Sequence, residues 1–185
     1  MSDDGIRVVI SRILRDICVE LTDEFDRNFE RGGFFSEAWS RRRSPMREGR
    51  ATLVDTGNLR RSIKSESSET GIRFYSDLPY AGIHNDGGEI KVTKRMKAFF
   101  WHKYYETTGS FGRRKDGGLR RDKRTIRLGT EAEFWKCLAL MKEGKKIEIP
   151  RRRFLGTSPE VEKAVRDIIE ENLTEYFNEI KMTEK

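Results

Sequence analysis

The chain has 185 residues, enough for about one domain with a real core. Charged residues (37%) outnumber hydrophobic ones (35%), so some segments must lie outside that core as loops or arms. The net charge is +7, Cys18 and Cys137 are too few for a disulfide framework, and no stretch approaches the ~18 apolar residues of a membrane-spanning helix.

The acidic start Met1-Ser2-Asp3-Asp4 has no apolar run behind it and does not read as a signal peptide. Ile6, Val9, Ile10, Ile13, Leu14, Ile17, Leu21, Phe25 and Phe29 then recur at three- and four-residue steps. That spacing predicts a long amphipathic helix over 5–31, stopped by Gly32-Gly33. A helix of this length either crosses a whole sheet or shows part of its apolar stripe to another subunit. Phe34, Phe35 and Trp39 form a short aromatic segment, read as a lid over a helix–sheet core. Arg41-Arg42-Arg43-Ser44-Pro45 reads as an exposed basic loop.

Residues 53–63 hold a helix-start signal. Thr56 can cap a short helix by accepting an amide two or three residues on, and Leu59 and Ile63 face one way. A single Gly57 with no following lysine–threonine pair is a poor phosphate loop. Residues 62–67 and 71–76 read as two strands joined by a turn near Glu69-Thr70-Gly71, because Ile72, Phe74 and Ser76 alternate with Arg73 and Tyr75.

Pro79–Gly88 connects this pair to the next strand. Pro79 suits the first turn of a helix, and Gly87-Gly88 ends it. Tyr80, Ala81 and Ile83 are the apolar side, with Tyr80 and Ile83 three apart and expected to plug a core. His84, Asn85 and Asp86 admit a sharper reading, a metal or acid–base site, but the chain has only one other histidine, His102.

A strand is expected over 89–92 and a helix over 96–106. The glycine-interrupted basic stretch 107–130 follows, with Arg113, Arg114, Lys115, Arg120, Arg121, Lys123 and Arg124 as candidate interaction residues. It reads as a basic loop or hairpin arm, with Thr125–Leu128 as its return strand. A short helix over 131–141 and a strand over 146–149 come next. Pro150–Gly156 then turns the chain into a last helix capped by Ser158, with Pro159 at its first position.

The basic excess lies in loops. Residues 41–50 hold five Arg against one Glu, and 112–127 hold eight Lys/Arg against two Asp. With Arg151–Arg153 set aside as well, the remainder is net −6, and the first and last helices are mildly acidic. Such loops suit phosphates through counterion release, or an acidic protein surface.

Three blocks together resemble the phage virion morphogenesis (tail completion) family of Mu-like phages and prophages. They are Thr56-Gly57-x-Leu59, the run Tyr80-Ala81-x-Ile83-His84-x-x-Gly87-Gly88, and the turn carrying Pro150, Arg152, Phe154, Leu155 and Gly156. Arg153 stands where that family's pattern has proline. The resemblance implies a non-enzymatic assembly protein with no catalytic residues, no cofactor and no metal. It implies partners among tail or head–tail connector proteins, and a homo-oligomer in the virion that can be a monomer in solution. It further implies residence in the host bacterial cytoplasm before incorporation into the virion. DNA contact is compatible with it; membrane association is not implied.

The expected fold is α+β, a single domain over 1–185. An antiparallel or mixed sheet of about four strands packs on the long terminal helices. Two rivals stand beside this reading: a DNA-binding protein using the basic loops, and a small metal-dependent nuclease using His84, Asn85, Asp86 and His102.

Overall fold

The computed structural model describes residues 3–42, 51–68 and 71–183. Arg43–Pro45 of the first basic loop and Glu69-Thr70 of the predicted turn lie outside the described residues. The fold is α+β, with long N- and C-terminal helices and short antiparallel strand pairs. The chain forms two compact units. The first comprises the chain up to Ser40, Ala51–Asp86 and everything from Arg151 onward; the second is built on Gly87–Pro150.

In the first unit, α1 (Asp3–Arg31) carries the predicted apolar stripe, and Ile17, Leu21, Phe25 and Phe29 of that stripe are buried. Gly32 takes a φ of 68° and ends the helix, as a residue without Cβ can. Strands β1 (Gly33–Phe34) and β2 (Glu37–Ala38) then form a minimal antiparallel pair. The aromatic lid closes here: Phe34 stacks on Phe25 with centroids 6.3 Å apart, and Trp39 meets Phe29 edge-on at 5.5 Å. A four-residue helix, α2 (Asn58–Arg61), buries Leu59.

Strands β3 (Ile63–Ser68) and β4 (Gly71–Ser76) pair antiparallel from Ile63↔Ser76 to Ser68↔Gly71. Phe74 reaches Phe25 at 5.1 Å, edge to face. The six-residue helix α3 (Ala81–Asp86) follows, ended by Gly87 at φ 74°. The final helix is written here as α6 (Pro159–Thr183); it adds Val161 and Ile168 to the same core. Ser158 starts it, its Oγ accepting the Val161 amide at 3.3 Å. The N-terminal half of α1 runs beside the C-terminal half of α6. There Arg12 reaches the Asn172 carbonyl at 3.2 Å and the carboxylates of Glu175 and Glu179 at 3.7 and 3.6 Å.

The second unit starts with β5 (Gly88–Lys91) and α4 (Lys94–Gly109), followed by α5 (Lys123–Ala139) and β6 (Lys146–Ile149). β5 and β6 pair antiparallel from Gly88↔Ile149 to Lys91↔Lys146. Helices α4 and α5 share a small core in which Phe100 stacks on Trp135 at 6.0 Å, with Ala139 buried beside them.

Two expectations need correction. The four strands expected over 62–67, 71–76, 89–92 and 146–149 all form, but they do not join into one sheet. Among the described residues they make two antiparallel pairs, β3–β4 and β5–β6, and β1–β2 makes a third. Alternation along a strand reports that one face is buried; it does not report which strand lies next to it. Thr125–Leu128 is no return strand either, since α5 already begins at Lys123. Asp122 caps that helix, its Oδ1 accepting the Thr125 amide at 2.7 Å. Thr125, Ala132, Trp135 and Ala139 are then buried at helical spacing.

Candidate functional site: a cross-braced motif cluster and a cationic loop

The first unit brings together most of the residues singled out in the sequence. Helix α3 lies against the segment that follows Arg151, and polar side chains join them. Asn85 is central: its Oδ1 accepts the amides of both Phe154 and Leu155, each at 2.9 Å. Its Nδ2 donates to Asp86 at 2.8 Å. The Arg152 amide donates to the His84 carbonyl at 2.8 Å. The Arg152 side chain is only 8% exposed, and its Nε donates to the Ser40 carbonyl at 3.2 Å. A buried guanidinium must be hydrogen-bonded to persist, so this arginine is held as part of the interior.

Phe154 sits beneath this layer, 1% exposed, with its ring 5.3 Å from Phe29. Asn28, completely buried on α1, spans the same region. Its Oδ1 accepts the Phe35 amide at 2.9 Å, and its Nδ2 donates to the Phe154 carbonyl at 3.4 Å. Phe35 has a positive φ of 51°, unusual for a bulky residue, and Asn28 holds the amide of that strained position.

Arg153, where the resembling pattern has proline, replaces ring rigidity with hydrogen bonds. Its guanidinium donates to the Thr157 carbonyl at 2.5 Å and lies 4.5 Å above the Phe34 ring. Its carbonyl accepts Trp39 Nε1 at 2.6 Å. Gly156 has a φ of 139°, and a Cβ there would meet Arg153 Nη2 at 2.4 Å. Only glycine fits that bend.

The Thr56 block behaves as a local turn. Thr56 Oγ1 accepts the Asn58 amide at 3.4 Å, and Gly57, at φ 76°, is the residue that starts α2. Leu59 is buried, and Arg60 runs back to α1, where it pairs with Asp26 and, at 2.6 Å, with Glu30. Those hydrogen bonds raise the Arg60 pKa and keep its charge in place.

Within Pro79–Gly88, Ala81 is buried rather than the expected pair: Tyr80 is 41% exposed and Ile83 is half-buried. A small residue at the contact lets the α3 backbone come close enough for Asn85 to reach two amides. His84 is half-buried, with its Nδ1 enclosed and without a hydrogen-bond partner among the described residues. Burial, then the positive charge of Arg152, lowers its pKa below the ordinary 6.5. Both effects favour the neutral imidazole.

An open cavity of about 310 Å³ adjoins this cluster, lined by Phe74, Ser76, Asn85, Asp86, Leu155 and Gly156 among others. Asn85 cannot transfer a proton, and its oxygen already holds two amides. No group of three His, Cys, Asp or Glu side chains among the described residues could hold a metal ion. His84 belongs to the first unit and His102 to the second.

The cationic candidates belong to the second unit. Residues 110–122 form a tight turn between α4 and α5, with a bridge Arg113↔Leu119. The Arg114 amide donates to the Gly118 carbonyl at 2.7 Å, and the Arg120 amide to the Gly112 carbonyl at 2.8 Å. Arg113, Arg114, Lys115, Arg120, Arg121, Lys123 and Arg124 are all exposed. Gly87, Gly88 and Pro150 also fall in this unit, at the ends of the β5–β6 pair.

Asn28 and Asn85 were not among the residues singled out as structural motif. Asn28 did leave a signal, a polar side chain three residues past Phe25 on the buried stripe. Asn85 left only its membership of a polar run.

The sequence model of the phage virion morphogenesis family matches this chain over residues 9–174. Neither a curated protein nor a solved structure gives a match.

Proposed function

This chain belongs to the phage virion morphogenesis family, and from that premise we propose that it is a non-enzymatic structural protein acting in tail completion or head–tail joining. Its role is in phage virion assembly, in the company of other virion proteins. The finer reading is that copies of the chain contact one another in a ring, after residence in the host bacterial cytoplasm. A heterologous contact closes into a ring when its rotation fits.

The observation that carries the non-enzymatic reading is Asn85. The polar residue at the centre of the family-like run is bound to the Phe154 and Leu155 amides. Together with the buried Arg152 it fastens the chain to itself, leaving little there to act on a substrate. Exposed apolar side chains on the terminal helices offer surface for copies to meet: Val8 and Val19 on α1, and Phe177 and Met182 on α6.

Electron microscopy of particles made without this gene tests the role. Filled heads accumulating apart from tails are the expected result. Normal, infectious particles would remove the assembly reading altogether.

A further inference from the structure

We propose that the turn between α4 and α5, with the first turn of α5, is a binding surface for the phosphate backbone of nucleic acid. The proposal goes beyond an assembly role and does not depend on ring formation.

The first observation is that positive charge here exceeds the acids beside it by six, with Asp122 close enough to attract Arg120 and Arg124. Arg113–Arg127 holds eight Lys/Arg and two acids, Asp116 and Asp122. Both acids serve the backbone: Asp116 accepts the Gly118 amide at 2.9 Å and Asp122 the Thr125 amide at 2.7 Å. Arg113 and Arg120 donate to carbonyls of the turn itself, Gly117 and Arg113. The side chains of Arg114, Lys115, Arg121, Lys123, Arg124 and Arg127 make no hydrogen bond or ion pair among the described residues.

The second observation is where those charges sit. Lys123, Arg124 and Arg127 occupy the first turns of α5, where the helix dipole repels cations. Asp122, the cap of that helix, offsets part of this repulsion, and an external anion lying against the remaining cations would offset more. Tight backbone bonds of the turn hold its cations in a compact cluster, so they can act on neighbouring phosphates together.

The alternative polyanion is an acidic face of a second copy. Part of the first unit's acidity is already partnered within the chain, Asp26 and Glu30 with Arg60, Glu24 with Arg27 and Arg31, and Glu175 and Glu179 with Arg12, while Asp167, Glu170 and Glu171 on α6 stay exposed. Arginine is common at protein interfaces too, but those have an apolar centre, whereas here eight exposed cations accompany two exposed apolar side chains, Leu119 and Ile126. Duplex DNA presents one negative charge per ~1.7 Å of axis and releases counterions when cations replace them.

The test is fluorescence anisotropy of the full chain with a labelled mixed-sequence DNA duplex, over a series of salt concentrations. The expected dissociation constant at physiological salt is in the ~10⁻⁶ to 10⁻⁴ M range typical of sequence-independent binding. The variant Arg114→Gln/Lys115→Gln/Arg121→Gln/Arg124→Gln should bind at least about tenfold more weakly and flatten the log–log salt slope by about 3–4. A control removing four exposed lysines elsewhere in the same unit, Lys91→Gln/Lys94→Gln/Lys142→Gln/Lys145→Gln, should change affinity less than about threefold. The charge-preserving Arg114→Lys/Arg121→Lys/Arg124→Lys should bind like the parent, which separates loss of charge from loss of fold. Equal weakening by the loop and control variants overturns the proposal, because net charge alone would then explain binding. So does absence of binding at low salt. Salt-sensitive self-association that the loop variant abolishes, with no DNA binding, assigns the surface to a second copy and equally overturns it.

Discussion

The two units use polar side chains in opposite ways. In the first, Asn28, Asn85, Arg152 and Arg153 point inward and bind carbonyls and amides of non-repetitive segments. In the second, two helices satisfy most of their own backbone, and the cations between them face outward. The difference follows from backbone hydrogen bonding. A helix pairs its own N–H and C=O groups, whereas an irregular segment next to a core must borrow partners from side chains. The unit with the irregular motifs therefore has its polar residues occupied, and the helical unit has them available.

Disrupting the packing under the braces should have the largest effect. Phe154→Ala empties a fully enclosed site against Phe29 and should cost about 3–5 kcal/mol. Urea denaturation measures this; a loss below about 1 kcal/mol would show that the first unit does not depend on this ring.

Next is the brace itself. Asn85→Ala leaves the Phe154 and Leu155 amides without their acceptor and should cost about 1–3 kcal/mol. Asn85→Asp keeps an acceptor oxygen and should recover part of that loss above the pH at which the carboxyl ionises. Equal stability of the alanine variant and the parent would mean that water replaces the side chain and that the brace is incidental.

A pH series probes the same region through His84. Its folded-state pKa lies below the ordinary 6.5, first through burial and then through Arg152. The unfolded chain therefore takes up the proton first as pH falls. Stability from this group is complete above about pH 6.5 and declines as the pH drops below it. Thermal melts between about pH 7 and 5 should show a shallower decline for His84→Gln; an unaltered slope would assign the decline to other groups.

The Arg60 pairs on α1 are partly exposed, so Arg60→Ala should cost no more than about 1 kcal/mol, with less difference at high salt. The smallest effect is expected in the second unit. Arg114→Gln and Arg121→Gln, which remove no side-chain hydrogen bond or ion pair among the described residues, should leave stability within about 0.5 kcal/mol of the parent. A large loss there would erase the contrast between inward-facing and outward-facing polar residues.

Much of the local structure was legible along the chain. The stripe from Ile17 to Phe29 predicted α1, the alternation around Phe74 predicted β4, and Ser158-Pro159 marked the start of α6. Boundaries were less legible where caps compete with periodicity. Asp122 started α5 eight residues before the predicted position, across a stretch that otherwise looked like turn and strand. The candidate site was legible as three blocks but not as one object. Nothing in the sequence tells that Asn85 meets the amides of residues 69 and 70 positions further on.

The sequence by itself determined the helix stripes, the strand segments, the glycine-marked bends and the uneven distribution of charge, because each depends on neighbours within a few residues. Tertiary structure alone decided that the strands form separate pairs and that Asn28, Asn85 and Arg152 tie distant loops together. It also put Ala81 at the contact where Tyr80 was expected. Those outcomes depend on groups far apart in the chain, and periodicity carries no record of which distant backbone group a side chain will find.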